Sequence, residues 1–365
     1  MEKLYQKTGG FIKGICHPGE HISLLQEAGI RWVRMDTPYP YDGDDLSEAY
    51  REYCARCRSL SARGLGVISI SPFPNAFFAA GIDLTAQEGL QKAEDQCEFI
   101  ARDLSDIRIC WQAANEQFMP HFRMPLNVEQ SSDFLAASIR GLKKGNPRAA
   151  VGHNSVDREM QYPLERVEEK CGGSDYIGLD LYDGTWTEGG PESYLTAIDT
   201  LHARIQRPVI LMEFGFASAG EGCGDIYAEG YKWLGEKGFH SVEDAIARLD
   251  ELMPHMPPAC EHVVNECAPE DRLQCLISFV PHAMKVWPAS APIPHTEAGQ
   301  AEFYDDLLPR LMHNPHLGGA VIYCMQDSPI CFCGQKDCPL ETAWGLLRCD
   351  GSKKPAFDVV KRHLT

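Results

Sequence analysis

The sequence has no apolar run long enough to span a bilayer, and its opening MEKLYQKTGG lacks the apolar core of an export signal. Both absences point to a cytoplasmic protein without a membrane partner. Basic excess is absent too. Lys plus Arg number 34 against 52 Asp plus Glu, a formal net charge of −18. Such a surface repels nucleic acid and anionic lipid but is compatible with an uncharged ligand such as a sugar. No repeat of roughly 20–50 residues and no low-complexity tract is present. No glycine-rich dinucleotide turn follows the first apolar run, and no helical His-Glu metal motif occurs.

Cysteine is not scarce. There are 15, an odd number spread along the chain. Without an export signal, that pattern favours reduced thiols over a disulfide framework. Several, such as Cys110 and Cys324, sit in apolar runs and read as small buried residues. The 365 residues, 44% hydrophobic and 24% charged, suffice for one large globular domain.

Eight short apolar runs read as strands: 11–16, 32–35, 66–70, 108–111, 149–152, 176–181, 209–212 and 320–323. Most are rich in Ile, Val or Leu, as expected of parallel strands buried on both faces. Helical patterns lie between them at 21–27, 47–63, 86–104, 131–145, 162–170, 191–204 and 302–313. The alternation predicts an α/β fold with a parallel sheet, and eight units predict a closed (β/α)8 TIM barrel over 1–365. Residues 219–300 are too many for one connection and read as an insertion after strand seven, beside the active-site face. Helical patterns occur within it at 241–252 and 273–284.

Barrel enzymes carry their chemistry at the C-terminal ends of strands. Strand four leads through Cys110-Trp111-Gln112-Ala113-Ala114-Asn115 to Glu116, and strand seven through Val209-Ile210-Leu211-Met212 to Glu213. A carboxylate after an apolar run is costly unless it is paired or at the rim. Strands four and seven lie on opposite sides of an eight-stranded barrel, so the two glutamates can face each other across its mouth. Two carboxyls across a cleft suit glycoside hydrolysis, one protonating the leaving oxygen and the other attacking the anomeric carbon.

With these residues in place, the sequence resembles clan A, the 4/7 superfamily of retaining glycoside hydrolases, and is closest in pattern to family 5 enzymes and family 2 barrel domains. Asn115-Glu116 and Glu213 match its acid/base and nucleophile motifs. The segment Gly29-Ile30-Arg31-Trp32-Val33-Arg34 resembles its second strand, whose arginine supports the nucleophile. The segment Asp175-Tyr176-Ile177-Gly178-Leu179-Asp180-Leu181-Tyr182 resembles its sixth, whose tyrosine hydrogen-bonds the nucleophile. Trp344-Gly345-Leu346-Leu347 and Lys354-Pro355-Ala356 resemble its chain end. The resemblance implies a carbohydrate substrate, no cofactor and a β-glycosidic bond cleaved by double displacement. A carboxyl separation of about 5 Å is then expected, whereas a gap above about 7 Å argues for inversion. The chain departs from the pattern at Asp180, where relatives often carry Asn or His. It departs again at Cys324-Met325-Gln326-Asp327, where many carry a tryptophan.

His17, Asp36 and His153 end strands one, two and five and are expected to point into the cleft, with Gln326 and Asp327 beside them. Trp186, Phe73 and Trp344 are candidate sugar-stacking faces. Cys331, Cys333 and Cys338 resemble a thiolate metal cluster, although zinc more often uses Cys-x2–4-Cys pairs, and free thiols are the simpler reading. Two rival functions remain at this level. One is a metal-dependent hydrolase or isomerase on the same barrel, and the other a sugar-binding barrel without catalysis.

Overall fold

The structure is a computed structural model that describes residues 1–156 and 163–365. Eight parallel strands form a closed barrel, each hydrogen-bonded to its sequence neighbours, the last closing on the first. They are β1 (Ile12–Cys16), β2 (Trp32–Asp36), β3 (Gly66–Ile70), β4 (Ile109–Ala113), β5 (Ala150–Ser155), β6 (Tyr176–Leu181), β7 (Val209–Phe214) and β8 (Leu317–Ile322). Each falls on one of the eight apolar runs. The edges move where glycine or polar residues hid them: β8 begins at Leu317, ahead of Gly318-Gly319, and β5 runs on to Ser155. The helix expected from Tyr162 starts outside the described residues, and its described part is Leu164–Cys171.

Side chains alternate across each strand. Ile12, Trp32, Ile68, Cys110, Ala150, Tyr176, Ile210 and Val321 fill the barrel interior, with Leu4 of the N-terminal helix Glu2–Thr8 beneath them. Val33, Val67, Trp111, Val151, Leu179 and Leu211 pack outward on the helices. Those helices start at readable signals. Asn127 forms a capping box with Gln130 ahead of Val128–Gly145, Ser47 caps Glu48–Ala62, and Thr296 caps Glu297–His313. The last of these takes its first residues from the stretch read as insertion. Between β7 and that helix lie the helices Ile226–Glu236, Val242–Ala247, Leu249–Leu252, Pro258–Glu266 and Arg272–Met284. No helix among the described residues is long and apolar enough to cross a membrane.

Strand seven is irregular where it matters. Ile210 pairs with Gly178 and Leu211 with Leu179, but Asp180 then pairs with Glu213, leaving Met212 as an extra residue. The same slip appears against β8 between Ala320 and Ile322. With Ile210 and Met212 facing inward, strict alternation would put Glu213 on the outer face. The bulge turns it into the barrel beside Asp180.

The β1–β8 seam closes the barrel through glycines. A Cβ built on Gly319 would lie 2.4 Å from Ile12 Cβ, and one on Gly14 would lie 2.9 Å from Val321 Cγ2. A Gly319→Val substitution is therefore expected to overpack the seam and lower the unfolding free energy by roughly 1–3 kcal/mol, read by urea titration. A loss below about 0.5 kcal/mol, the level of an ordinary surface change, would mean that the seam tolerates bulk.

Candidate active site

Arg34 points inward from β2 and is 5% exposed. Its Nη1 donates to Glu213 Oε1 at 2.5 Å, its Nη2 to Asn115 Oδ1 at 2.6 Å and its Nε to Gln112 Oε1 at 3.1 Å. Tyr182, the residue after β6, donates its hydroxyl to Glu213 Oε2 at 2.5 Å. Both oxygens of the Glu213 carboxylate are thereby held. Removing one partner of such a buried pair strands the other charge, at a cost of about 3–5 kcal/mol.

Glu116 arrives on a contorted turn. Ala114 and Glu116 both adopt left-handed backbone, with φ of 47° and 44°. That conformation costs a non-glycine residue on the order of 1–3 kcal/mol and persists only where the surroundings enforce it. Here side chains do so. Ser71 Oγ accepts the Ala114 N–H at 3.0 Å, and Asn154 Oδ1 accepts the Glu116 N–H at 2.9 Å. Asn154 Nδ2 donates to Asn115 Oδ1 at 2.8 Å and to Asp180 Oδ2 at 2.5 Å. Gln112 Nε2 donates to the same Asn115 oxygen at 3.0 Å. That oxygen is saturated, so the Asn115 amide nitrogen is the group left for a ligand.

Glu116, Asp180 and Glu213 each bring a carboxylate oxygen within 4.8 Å of the others. Burial, reinforced by the charge of Glu213, pushes the Glu116 carboxyl up to about 8. Burial and then Glu213 also hold Asp180 well above the usual carboxylate range. Asp180 Oδ1 has no hydrogen-bond partner among the described residues. Two buried carboxyls this close do not lose their protons independently, so they titrate as a pair. Glu341 adds a fourth carboxyl. It accepts from Trp186 Nε1 at 3.3 Å, and burial followed by the charge of Glu213 raises it to about 8.

The other expected residues divide. His17, Asp36, Gln326 and Asp327 line a cavity of about 760 Å³ that also reaches Arg34, Tyr323 and Glu341. Gln326 and Asp327 are engaged already: Gln326 bonds His21 and the Cys349 carbonyl, and Asp327 pairs with buried Lys354 at 2.7 Å. His153 is a correction. It is fully buried on the outer face of β5, with Nε2 3.2 Å from Glu168 Oε1, because the alternation from Ala150 turns Asn154 inward instead. Trp344 is another. At 1% exposed it offers no face to a sugar and packs edge-on against Tyr182, Tyr323 and Trp287. Trp186 is half-buried, against Trp287 and His282. Phe73 is half-buried too and stacks on Phe122.

Sequence reading missed Gln112, Asn154 and Glu341. The first two were open to discovery by counting inward positions along β4 and β5. Glu341 lies in a loop and carried no such signal.

No family model matches the sequence, and neither does any curated protein. Solved structures are similar in fold. A GH53 catalytic domain from Ignisphaera aggregans superimposes with a TM-score of 0.59 at 16% identity, covering 100% of this chain and 93% of that one. A family 39 glycoside hydrolase from Bacteroides cellulosilyticus gives 0.58 at 14% identity, over 98% of this chain and 64% of that one. A β-glucuronidase from Bacteroides uniformis gives 0.55 at 14%, over 97% of this chain but only 35% of that one. The fold is thus a (β/α)8 barrel of the kind these glycoside hydrolases use.

The raised carboxyl has a cost that can be measured. Below about pH 4.5 Glu116 is protonated whether folded or not, and as pH rises toward 8 the folded chain must hold a proton that the unfolded chain releases. Stability falls over that window. Replacing Glu116 with Gln removes the penalty, so the Tm gain of the variant should be near zero at about pH 4 and grow to several degrees by about pH 8. A gain independent of pH would contradict the raised carboxyl.

Proposed function

We propose that the chain is a retaining glycoside hydrolase that cleaves a β-glycosidic bond by double displacement, with Glu213 as nucleophile and Glu116 as general acid/base. The observation that carries this reading is the pair itself. Two carboxyls meet within 4.8 Å across the barrel mouth in opposite settings, one bound to a guanidinium and a phenol, the other raised to about 8. Separations near 5 Å suit direct attack, whereas inversion needs room for a water. The glycoside hydrolases with a similar fold support the same class of reaction.

In the first step a Glu213 oxygen attacks the anomeric carbon. The bond to the leaving oxygen breaks, and that oxygen takes the Glu116 proton. Esterified Glu213 has lost its charge, so the Coulombic part of the Glu116 shift disappears and its carboxyl becomes a base. In the second step Glu116 takes a proton from water as that water attacks the anomeric carbon, which releases Glu213. The Asn115 amide bonds the sugar 2-hydroxyl, an interaction that strengthens at the transition state.

The three clustered carboxyls raise a second reading, a divalent cation centre. Arg34 and Tyr182 already occupy both Glu213 oxygens, which weighs against it.

A panel of aryl β-glycosides tests the assignment. We expect turnover on a neutral glycoside, and Glu213→Gln should lower kcat by at least about 10³-fold. Added azide should restore aglycone release to a Glu213→Gly variant and yield a glycosyl azide of inverted configuration. Unchanged turnover in Glu213→Gln, or no azide rescue in a Glu213→Gly protein that is folded, would remove Glu213 from the role. Separately, kcat/KM should fall on the alkaline side with an apparent pKa near 8, set by the Glu116–Asp180 pair. The wild-type alkaline limb should be missing from the residual reaction of Glu116→Gln with an activated aryl glycoside, whose leaving group needs no acid.

A further inference from the structure

The cysteine-rich loop after β8 was not absorbed by the catalytic reading. Cys331, Cys333 and Cys338 lie there, and each is 2% exposed or less. Across from them stands His282, fully buried, on the helix Arg272–Met284 that follows β7. Its position, some fifty residues upstream, hides it from any motif search. The four side chains offer one Nδ1 or Nε2 and three Sγ atoms, all within 4.8 Å of one another.

The distances are informative. Cys338 Sγ lies 3.4 Å from His282 Nδ1, and Cys331 Sγ lies 3.5 Å from the same nitrogen. Zinc–sulfur bonds of about 2.3 Å and zinc–nitrogen bonds of about 2.05 Å at a tetrahedral angle put sulfur and nitrogen about 3.6 Å apart. Ordinary thiol hydrogen bonding does not account for this arrangement as well. A ring nitrogen either donates one proton or accepts on one lone pair, so it cannot satisfy two thiols equally. The Cys333 N–H also points at Cys331 Sγ, 3.5 Å away, a donor that suits a sulfur carrying negative charge. The turn is tight: Cys331 accepts the Gly334 N–H and donates to the Gln335 carbonyl, with Gly334 at φ 90°. His282 is held in place by the rings of Trp186, Phe279 and Phe332, at centroid distances of 5.4, 5.9 and 4.8 Å.

We propose that His282, Cys331, Cys333 and Cys338 form a structural zinc site that ties the helix Arg272–Met284 to the loop after β8. Three thiolates and one imidazole are a soft, closed tetrahedral set with no position left for substrate, which suits zinc in a structural role. The Lys285–Asp337 ion pair bridges the same two segments from outside. The tie stands directly behind the cleft wall, because Trp186 touches His282 on one side and bonds Glu341 on the other. The other thiols near in sequence do not join. Cys324 bonds the Gln326 carbonyl, and Cys349 is exposed.

The test is metal content, which needs no glycoside and so stands or falls apart from the hydrolase assignment. The whole chain, produced with zinc present and purified without chelator, should carry about one zinc per chain by mass spectrometry. Mercurial modification of the thiols should release it in the same ratio. Glu213→Gln should retain that zinc, whereas Cys338→Ser and His282→Gln should each fall below about a fifth of it. Should those variants fail to fold, the wild type decides. After exchange with cobalt(II) it should show the d–d bands of a tetrahedral site and thiolate-to-cobalt charge transfer. Stripping the metal should lower Tm by about 5 °C or more, and zinc should restore it. Wild-type protein that neither contains nor takes up zinc or cobalt overturns the proposal. So does iron in the site, or zinc content unchanged in both variants.

Discussion

One guanidinium stands among four carboxyl groups at the mouth of this barrel, and the rest of the site follows from that imbalance. Arg34 can compensate one negative charge fully, and it is spent on Glu213. Glu116, Asp180 and Glu341 must then hold protons or face water, and all three are pushed upward by burial and by Glu213. The division between a charged carboxylate and a protonated one, which acid/base chemistry needs, requires no further device. It is the arithmetic of a single cation in a poorly solvated place. Asp180, the departure from the resembled pattern, fits this account as a further buried carboxyl held above the usual range beside Glu213.

The barrel was legible because parallel strands buried on both faces are apolar along their length, and no loop mimics eight such runs. The site was legible where a polar group interrupts them, as at Arg34, Glu116, Tyr182 and Glu213. What escaped depends on parity. His153 stood out as a histidine at a strand end, but the alternation that faces Ala150 inward puts Asn154 inside and His153 against Glu168. Trp344 stood out as an aromatic near the cleft, but an aromatic side chain records neither its depth nor its neighbours. His282 was invisible for a third reason. A ligand set completed by a helix some fifty residues upstream has no spacing to recognise.

The helical stretch between β7 and the helix Glu297–His313 is joined to the site by aromatic edges. Trp287 contacts Trp186 and Trp344 at centroid distances of 5.4 and 5.3 Å, and Trp344 meets Tyr182 at 4.9 Å. Edge-to-face packing of this kind resists rotation of each ring. The phenol that bonds Glu213 is therefore braced from behind by residues on either side of those helices. The tryptophan expected to meet a ligand instead serves as a buttress.

The extra residue in strand seven bears on how this chain is compared with other barrels. Pairing along a sheet takes only whole-number steps, so the inward place of Glu213 is a matter of phase rather than degree. Adjusting neighbouring side chains does not change that phase; only gaining or losing a residue in the strand does. An alignment that smooths over Met212 would keep every letter of the strand similar and still assign the wrong side chain to the lumen.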